Sequence, residues 1–345
     1  MVAALVEEIR IRNSYLENDL IETIYFGGGT PSLLHTNELE QLMQSIFQFF
    51  TVADNAEITL EANPDDISPA RLQHWRSAGI NRLSIGIQSL FDEDLLWMNR
   101  VHSAKEASKV IEMARAASFE HFSVDLIYGM PTLTDERWLQ NLEWVVQQGV
   151  NHLSCYALTV EPRTALDAKI KKQLLQDVDP AHQKAQFMML LDFAAANEWE
   201  HYEISNFAKQ GHRSRHNTSY WSGIPYLGIG PGAHSFNGVS RQWNISNNMQ
   251  YIRSLQAGTI PFEMETLTKE QQLNEYIMTS LRTIEGCKLD VVSKRFGEKE
   301  SARIATLSHQ LKETGLIWFE KNTLFLTKEG KWYADGIAAK LFCDS

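Results

Sequence analysis

Short β-rich runs recur along this chain with starts about 25 to 50 residues apart, each followed by a stretch of helical periodicity. That alternation restricts the fold more than any other feature. The runs are 22–26 (ETIYF), 57–62 (EITLEA), 82–88 (RLSIGIQ), 121–128 (HFSVDLIY), 152–160 (HLSCYALTV) and 201–207 (HYEISNF). Between them, residues 37–50, 69–78, 104–116, 134–147 and 181–197 carry helical patterns. Six such βα units imply a parallel sheet with helices outside it. Polar residues collect at the C-terminal ends of the runs: Gly27-Gly28-Gly29, Glu61 with Asn63, Gln88 with Ser89, Asp125, Tyr156 with Thr159, and Asn206. Contributions from nearly every strand to one rim suit a barrel mouth, whereas an open sheet concentrates its site at one switch point. The expected fold class is α/β, a full or partial barrel.

Outside the alternation, Val2, Leu5, Val6 and Ile9 share one face at helical spacing and predict a docked N-terminal helix. Residues 211–248 read as loop, and 269–283 as helix. From Cys287 onward the layout is helix (290–296), helix (299–314), the hairpin LIWFE-KN-TLFLT, and a last helical run over 328–342, which is that of a small winged-helix module. The expected domains are 1–235 for the barrel, 236–285 for a connecting helical segment, and 286–345 for the C-terminal module.

Charge excludes several classes of function. Lys plus Arg is 32 against 43 Asp plus Glu, a net charge of −11, so the chain is not a general nucleic-acid binder. The C-terminal module carries ten basic and eight acidic residues, a mixed solvated surface rather than a phosphate-tracking stripe. No run of 18 apolar residues occurs, so no membrane span is expected. Glu7 and Glu8 precede any basic residue, against a signal peptide. Three widely spaced cysteines, Cys155, Cys287 and Cys343, argue for a reducing cytoplasm. They form no CxxC or CxxxCxxC, so no short loop here can hold an iron–sulfur cluster.

Three groups of residues could carry chemistry. Gly28, Gly29 and their neighbours follow a strand directly, so backbone N–H groups can approach a ligand; a tight turn with no ligand fits equally. Thr30 before Pro31 is a helix-start signal. Glu61, at a strand end, shares a face with Glu57 and Thr59, and a carboxylate there needs a partner, whether a ligand or an internal salt bridge. Asp125 repeats the situation, and Gln88 and Arg100 flank the next rim loop. Finally, His212, Arg213, Arg215, His216, Tyr220 and Trp221 crowd one stretch. Imidazole can ligate heme iron, guanidinium can pair with propionates, and aromatic rings can stack on a macrocycle; a solvated basic loop is the competing reading.

With these residues in view, TIYFGGGTPSLL, EITLEANPDDIS, GINRLSIGIQS, MNRVHSA, DLIYGMPTLT and LGIGPGAHSF together resemble the radical S-adenosylmethionine (SAM) proteins of the oxygen-independent coproporphyrinogen III oxidase type. EISNFAKQGHRSRHNTSYW is similar to the heme-chaperone (HemW-type) branch of that family. The resemblance implies a partial (β/α)6 TIM-like barrel, here without its first strand, and a C-terminal helical, winged-helix-like domain. It implies SAM contacts at Gly28, Gly29, Thr30, Glu61, Gln88, Arg100, Asp125 and Ala157, with Asp125 suited to ribose hydroxyls, and a heme contact at His216. It implies heme and heme-accepting proteins as partners, membrane-bound acceptors among them. Oxygen-independent coproporphyrinogen III oxidation, in porphyrin biosynthesis, is the alternative activity. Family members hold a [4Fe-4S] cluster on a CxxxCxxC loop that this sequence lacks. The expectation is an N-terminally shortened or cluster-less relative that performs no radical chemistry by itself.

Overall fold

The computed structural model describes residues 1–17 and 19–343; Asn18, Asp344 and Ser345 lie outside the described residues. Seven strands form the main sheet: β1 (Ile21–Phe26), β2 (Val52–Ala62), β3 (Arg82–Gln88), β4 (His121–Tyr128), β5 (His152–Ala157), β6 (Glu200–Glu203) and β7 (Asn206–Ala208). Their hydrogen-bonded order is β1-β2-β3-β4-β5-β7-β6, and the β2–β3, β3–β4 and β4–β5 pairs are parallel. The fold is α/β, a partial barrel of the expected type.

Strand alternation sorts side chains onto two chemically different faces. Leu60, Leu83, Ile85, Ile87, Val124 and Leu126 occupy one parity and are fully buried. Helices Asp135–Gln147 and Pro180–Ala196 lie against β4. The opposite parity is polar. Glu61 pairs with Ser84, Ser84 with Ser123, Asp125 with Ser154, and Ser154 with Asn206, so register sets polar groups side by side across five strands.

The run at 201–207 does not form a sixth parallel strand. It breaks into β6 and β7, with β7 antiparallel to both β5 and β6. The break has a local cause. Glu203 folds back to accept from the Ser205 backbone N–H (3.1 Å) and the Asn206 side-chain amide (2.8 Å), while Cys155 N–H takes the Ser205 carbonyl (2.7 Å).

Residue contacts divide the chain into two compact units: Met1–Tyr25, Leu34–Ile58 and Ser214–Ser345 form one, and Phe26–Leu33 with Thr59–Arg213 the other. In the first unit, the predicted N-terminal helix runs over Val2–Ile11; of the expected stripe Ile9 is buried and Val2, Leu5 and Val6 are half-buried, while Ala4 and Glu8 are the other deepest residues. Glu8 accepts from Gly230 N–H (2.8 Å), the Asn244 amide (2.7 Å) and the Tyr251 hydroxyl, and pairs with Arg12 (3.0 Å).

The stretch expected to be loop contains helix Arg215–Trp221 and two strands, β8 (His234–Phe236) and β9 (Ser240–Asn244). These strands join β10 (Phe262–Thr266) in an antiparallel sheet ordered β10-β9-β8. The C-terminal segment has the predicted hairpin. Together with β11 (Cys287–Lys288), strands β12 (Ile317–Glu320) and β13 (Thr323–Leu326) make a sheet ordered β11-β13-β12. The turn residues Lys321 and Asn322 both have positive φ (44° and 64°), as a two-residue primed turn requires. Among the described residues no helix is long and apolar enough to cross a membrane.

Gly228, in the LGIGPGAHSF block, owes its place to a close backbone approach: a Cβ there would sit 2.1 Å from the His234 carbonyl oxygen. Gly228→Ala is therefore expected to cost about 3 kcal/mol, read as a shift in urea midpoint. A midpoint within error of the parent would contradict that close approach.

Candidate functional site

The rim of the second unit is built from strand ends and the loops after them. Gly28 has φ +75°, a conformation that favours glycine, and its N–H donates to Glu61 (3.2 Å). A Cβ added at Gly28 or Gly29 would meet nothing within 4 Å, so both positions face open space. Thr30 is exposed and starts only the single 3-10 turn Pro31–Leu33, accepting from Leu33 N–H (3.0 Å). The long helix begins later, at Thr36, where His35 and Glu38 form the capping box. The 3-10 turn is tied down by Ser32, whose hydroxyl donates to Asp66 (2.6 Å), and by Arg71, which donates to the Ser32 carbonyl (3.2 Å).

Asp125 is the most perturbed acid of this rim. Burial raises its pKa to about 6; hydroxyls of Ser154 and Ser84 oppose the rise, and the charge of Glu61 adds to it. The Ser84 hydroxyl donates to both Asp125 oxygens, at 3.3 and 3.1 Å. Arg100 reaches the Asn63 side chain at 3.5 Å. Its pKa is lowered by burial, against the pull of Asp65 and Asp125. Gly28, Glu61, Asp125 and Arg100 are thus joined by hydrogen bonds and through-space charge.

Gln88 and Ala157 end β3 and β5. Gln88 is buried with φ +67°, at a register shift against β4. Two further residues shape its surroundings. A Cβ at Gly86 would come within 2.8 Å of the Gln88 amide nitrogen, and buried His102 donates from Nε2 to the Ile87 carbonyl (3.1 Å). Ala157 lies beside Tyr128 in the β4–β5 register.

Asn63 was among the rim residues read from the sequence; Ser84, Gly86, His102 and Ser154 were missed. Alternation from Glu61 and Asp125 marks Ser84 and Ser154 once the register is known, but no sequence signal supplies the register.

His216 belongs to the first unit, on helix Arg215–Trp221. Its Nδ1 lies 3.2 Å from the Thr23 hydroxyl, and its ring stacks on Tyr25 (4.6 Å between centroids, 18° between planes). Burial lowers its pKa, with the Glu57 charge opposing, so the neutral imidazole prevails at pH 7. The two arginines expected near it are engaged. Arg213 forms a two-pronged pair with Glu200 (2.7 Å each), and Arg215 bonds Asn55 carbonyl (2.7 Å) and Glu22 (3.1 Å). The Tyr220 and Trp221 rings meet edge to face at 5.3 Å.

Cys155 and Cys287 are buried, Cys343 is partly so, and none is bonded to another. Among the described residues no group of three or more His, Cys, Asp and Glu could hold a metal ion. The cysteines of this chain do not fit a [4Fe-4S] cluster.

Residues 3–145 match the radical SAM superfamily and residues 267–333 the HemN C-terminal domain. The fold is that of the coproporphyrinogen III oxidase HemN from Escherichia coli, a radical SAM enzyme, with a TM-score of 0.84 over 99% of this chain and 82% of that one at 22% identity. A radical SAM barrel followed by a HemN-type C-terminal domain is thus the class to which fold and sequence assign this protein. Within that class the chain belongs to the HemW family. It is 33% identical to the heme chaperone HemW of Mycobacterium tuberculosis over 98% of this chain and 85% of that protein, and 33% identical to the heme chaperone HemW of Bacillus subtilis over 90% and 83%.

An acid whose pKa is higher in the folded than in the unfolded chain binds protons more tightly when folded. Asp125 therefore withdraws stability as pH rises from about 4 to about 6. Asp125→Asn should melt progressively higher than the parent across that window and keep its advantage at pH 7. A difference in melting temperature independent of pH would contradict the raised pKa.

Proposed function

We propose that this protein binds heme through His216 and transfers it to heme-accepting proteins, and that the rim of its barrel binds SAM. The observation that carries the heme reading is the chemical state of His216: a partly buried, neutral imidazole with one nitrogen engaged by Thr23 and one face covered by Tyr25. That is the form in which histidine ligates iron. Kinship with proteins named heme chaperones over most of the chain supports it. Bound heme would supply the iron that an imidazole of His216 would ligate.

For SAM, the open space at Gly28 and Gly29 leaves the backbone approachable, with the Gly28 N–H held by Glu61, and Thr30 adds an exposed hydroxyl. Glu61 would accept from the ammonium of the amino acid portion, and Arg100 would offer its fork to the carboxylate. Asp125 would take ribose hydroxyls, which would join the hydroxyls of Ser84 and Ser154 around its carboxylate. Gln88 and the backbone of Ala157 complete the set at the neighbouring strand ends. No step through an iron–sulfur cluster follows from the residues of this chain. The reading places the cofactor barrel in residues 1–235, a connecting segment in 236–285, and the C-terminal module in 286–345, with the cytoplasm as the compartment.

Two measurements test it. Hemin titrated into the protein should give a saturable Soret band, with affinity falling at least about tenfold in His216→Ala; equal affinity and an unchanged spectrum would remove the heme assignment. Equilibrium dialysis with labelled SAM should show binding by the parent and about tenfold weaker binding by Glu61→Ala, one lost charge-assisted contact being worth about 1.5–3 kcal/mol. Absence of binding in both, or equal binding, would remove the SAM assignment.

A further inference from the structure

His216 presents two ring nitrogens, and which of them can meet iron depends on what holds the other. We propose that Thr23 and Glu57 act as positioning residues that select Nε2 of His216 as the ligating atom and hold it in place. The proposal rests on the reading of His216 as a heme ligand and says which side chains make it one.

Thr23 and Tyr25 alternate to the same side of β1, two residues apart. Thr23 places its hydroxyl 3.2 Å from His216 Nδ1, and Tyr25 stacks on the ring. With Nδ1 engaged, only Nε2 is left for a metal. A ligating Nε2 needs its lone pair, so the ring proton must sit on Nδ1 and be donated to the Thr23 oxygen. The opposite polarity, with Thr23 donating to Nδ1, would put the proton on Nε2 and bar it from iron.

Aim is a separate problem, because helix Arg215–Trp221 has only seven residues, too few to hold itself. Glu57, buried on β2, holds its first turn. One oxygen accepts from the Ser214 hydroxyl (3.2 Å) and the His216 N–H (2.9 Å), and the other from the Arg215 N–H (3.1 Å). The Ser214 hydroxyl in turn accepts from Asn217 N–H (3.3 Å). The carboxylate thus satisfies amides that a helix start leaves unpaired, one of them belonging to the ligand residue itself. A glutamine at this position keeps the volume but turns an amide N–H₂ towards a donor.

The test is hemin titration of the full chain, followed in the Soret band and by the electron paramagnetic resonance of the ferric complex. The variants are Thr23→Val, Thr23→Ser, Glu57→Gln and His216→Ala, with thermal melting of each heme-free protein as a folding control. Thr23→Val should bind about tenfold more weakly and change the ferric spin-state signature, while Thr23→Ser restores both; Glu57→Gln should weaken binding by a similar factor. If His216→Ala loses binding but Thr23→Val and Glu57→Gln match the parent in affinity and resonance, the proposal is overturned and the ligand reading stands. If His216→Ala binds like the parent, the ligand reading fails and the proposal falls with it. Should Glu57→Gln not fold, the Thr23 pair decides alone.

Discussion

A polar side chain on a covered face of a β-sheet must find its partner among the neighbouring strands, because water is not there to supply one. The polar parity of β2–β5 is organised by this requirement. Arg82 donates to Ser123 (2.9 Å), Ser84 to Asp125, and His152 meets the Tyr202 hydroxyl at 2.7 Å. Two atoms of this layer, Thr59 Oγ1 and His152 Nδ1, are buried without a hydrogen-bond partner. The apolar parity offsets that cost. Side chains such as Leu60, Leu83, Ile85 and Val124 are fully buried, each worth about 1.5–3 kcal/mol relative to exposure. The apolar face supplies the burial that stabilises the sheet, and the other carries polar groups that burial disfavours.

Asp125 illustrates the exchange. Burial penalises its charge, and two serine hydroxyls refund only part of the penalty. A carboxylate kept in this condition is poorly solvated, and the serine hydroxyls offset part of what burial costs its charge. Elsewhere in the chain, buried carboxylates are satisfied and serve as anchors. Glu8 gathers donors from residues 230, 244 and 251 and joins the N-terminal helix to them, and Glu57 gathers Ser214, Arg215 and His216.

Much of the sheet could be read before any coordinates. Alternation placed Glu61 on the polar parity, and the glycines after β1 marked a turn that Gly28 does take with positive φ. The two-residue turn at Lys321 and Asn322 was equally visible. Other features left no local trace. Helix Arg215–Trp221 is short and polar, and its start is held by Glu57, which lies 157 residues before Ser214. The division of 201–207 into two strands turns on a single glutamate bonding back to its own loop. The N-terminal helix buries Ile9 of its apolar stripe as helical spacing foretold, but the stripe gave no sign of the fully buried Glu8, paired with Arg12, beside it.

The order of residues alone determined which side chains alternate together, where glycine permits a turn, and to which family the chain belongs, since these depend on local geometry and on the identity of residues in sequence. Only the tertiary structure decided which of those side chains became chemically distinct. The raised pKa of Asp125 depends on desolvation and on hydroxyls from β3 and β5, and the neutral state of His216 on burial against the Glu57 charge. Solvation and charge act through space and fall off over a few ångströms, so they are set by strand register and helix placement, which no short stretch of sequence encodes.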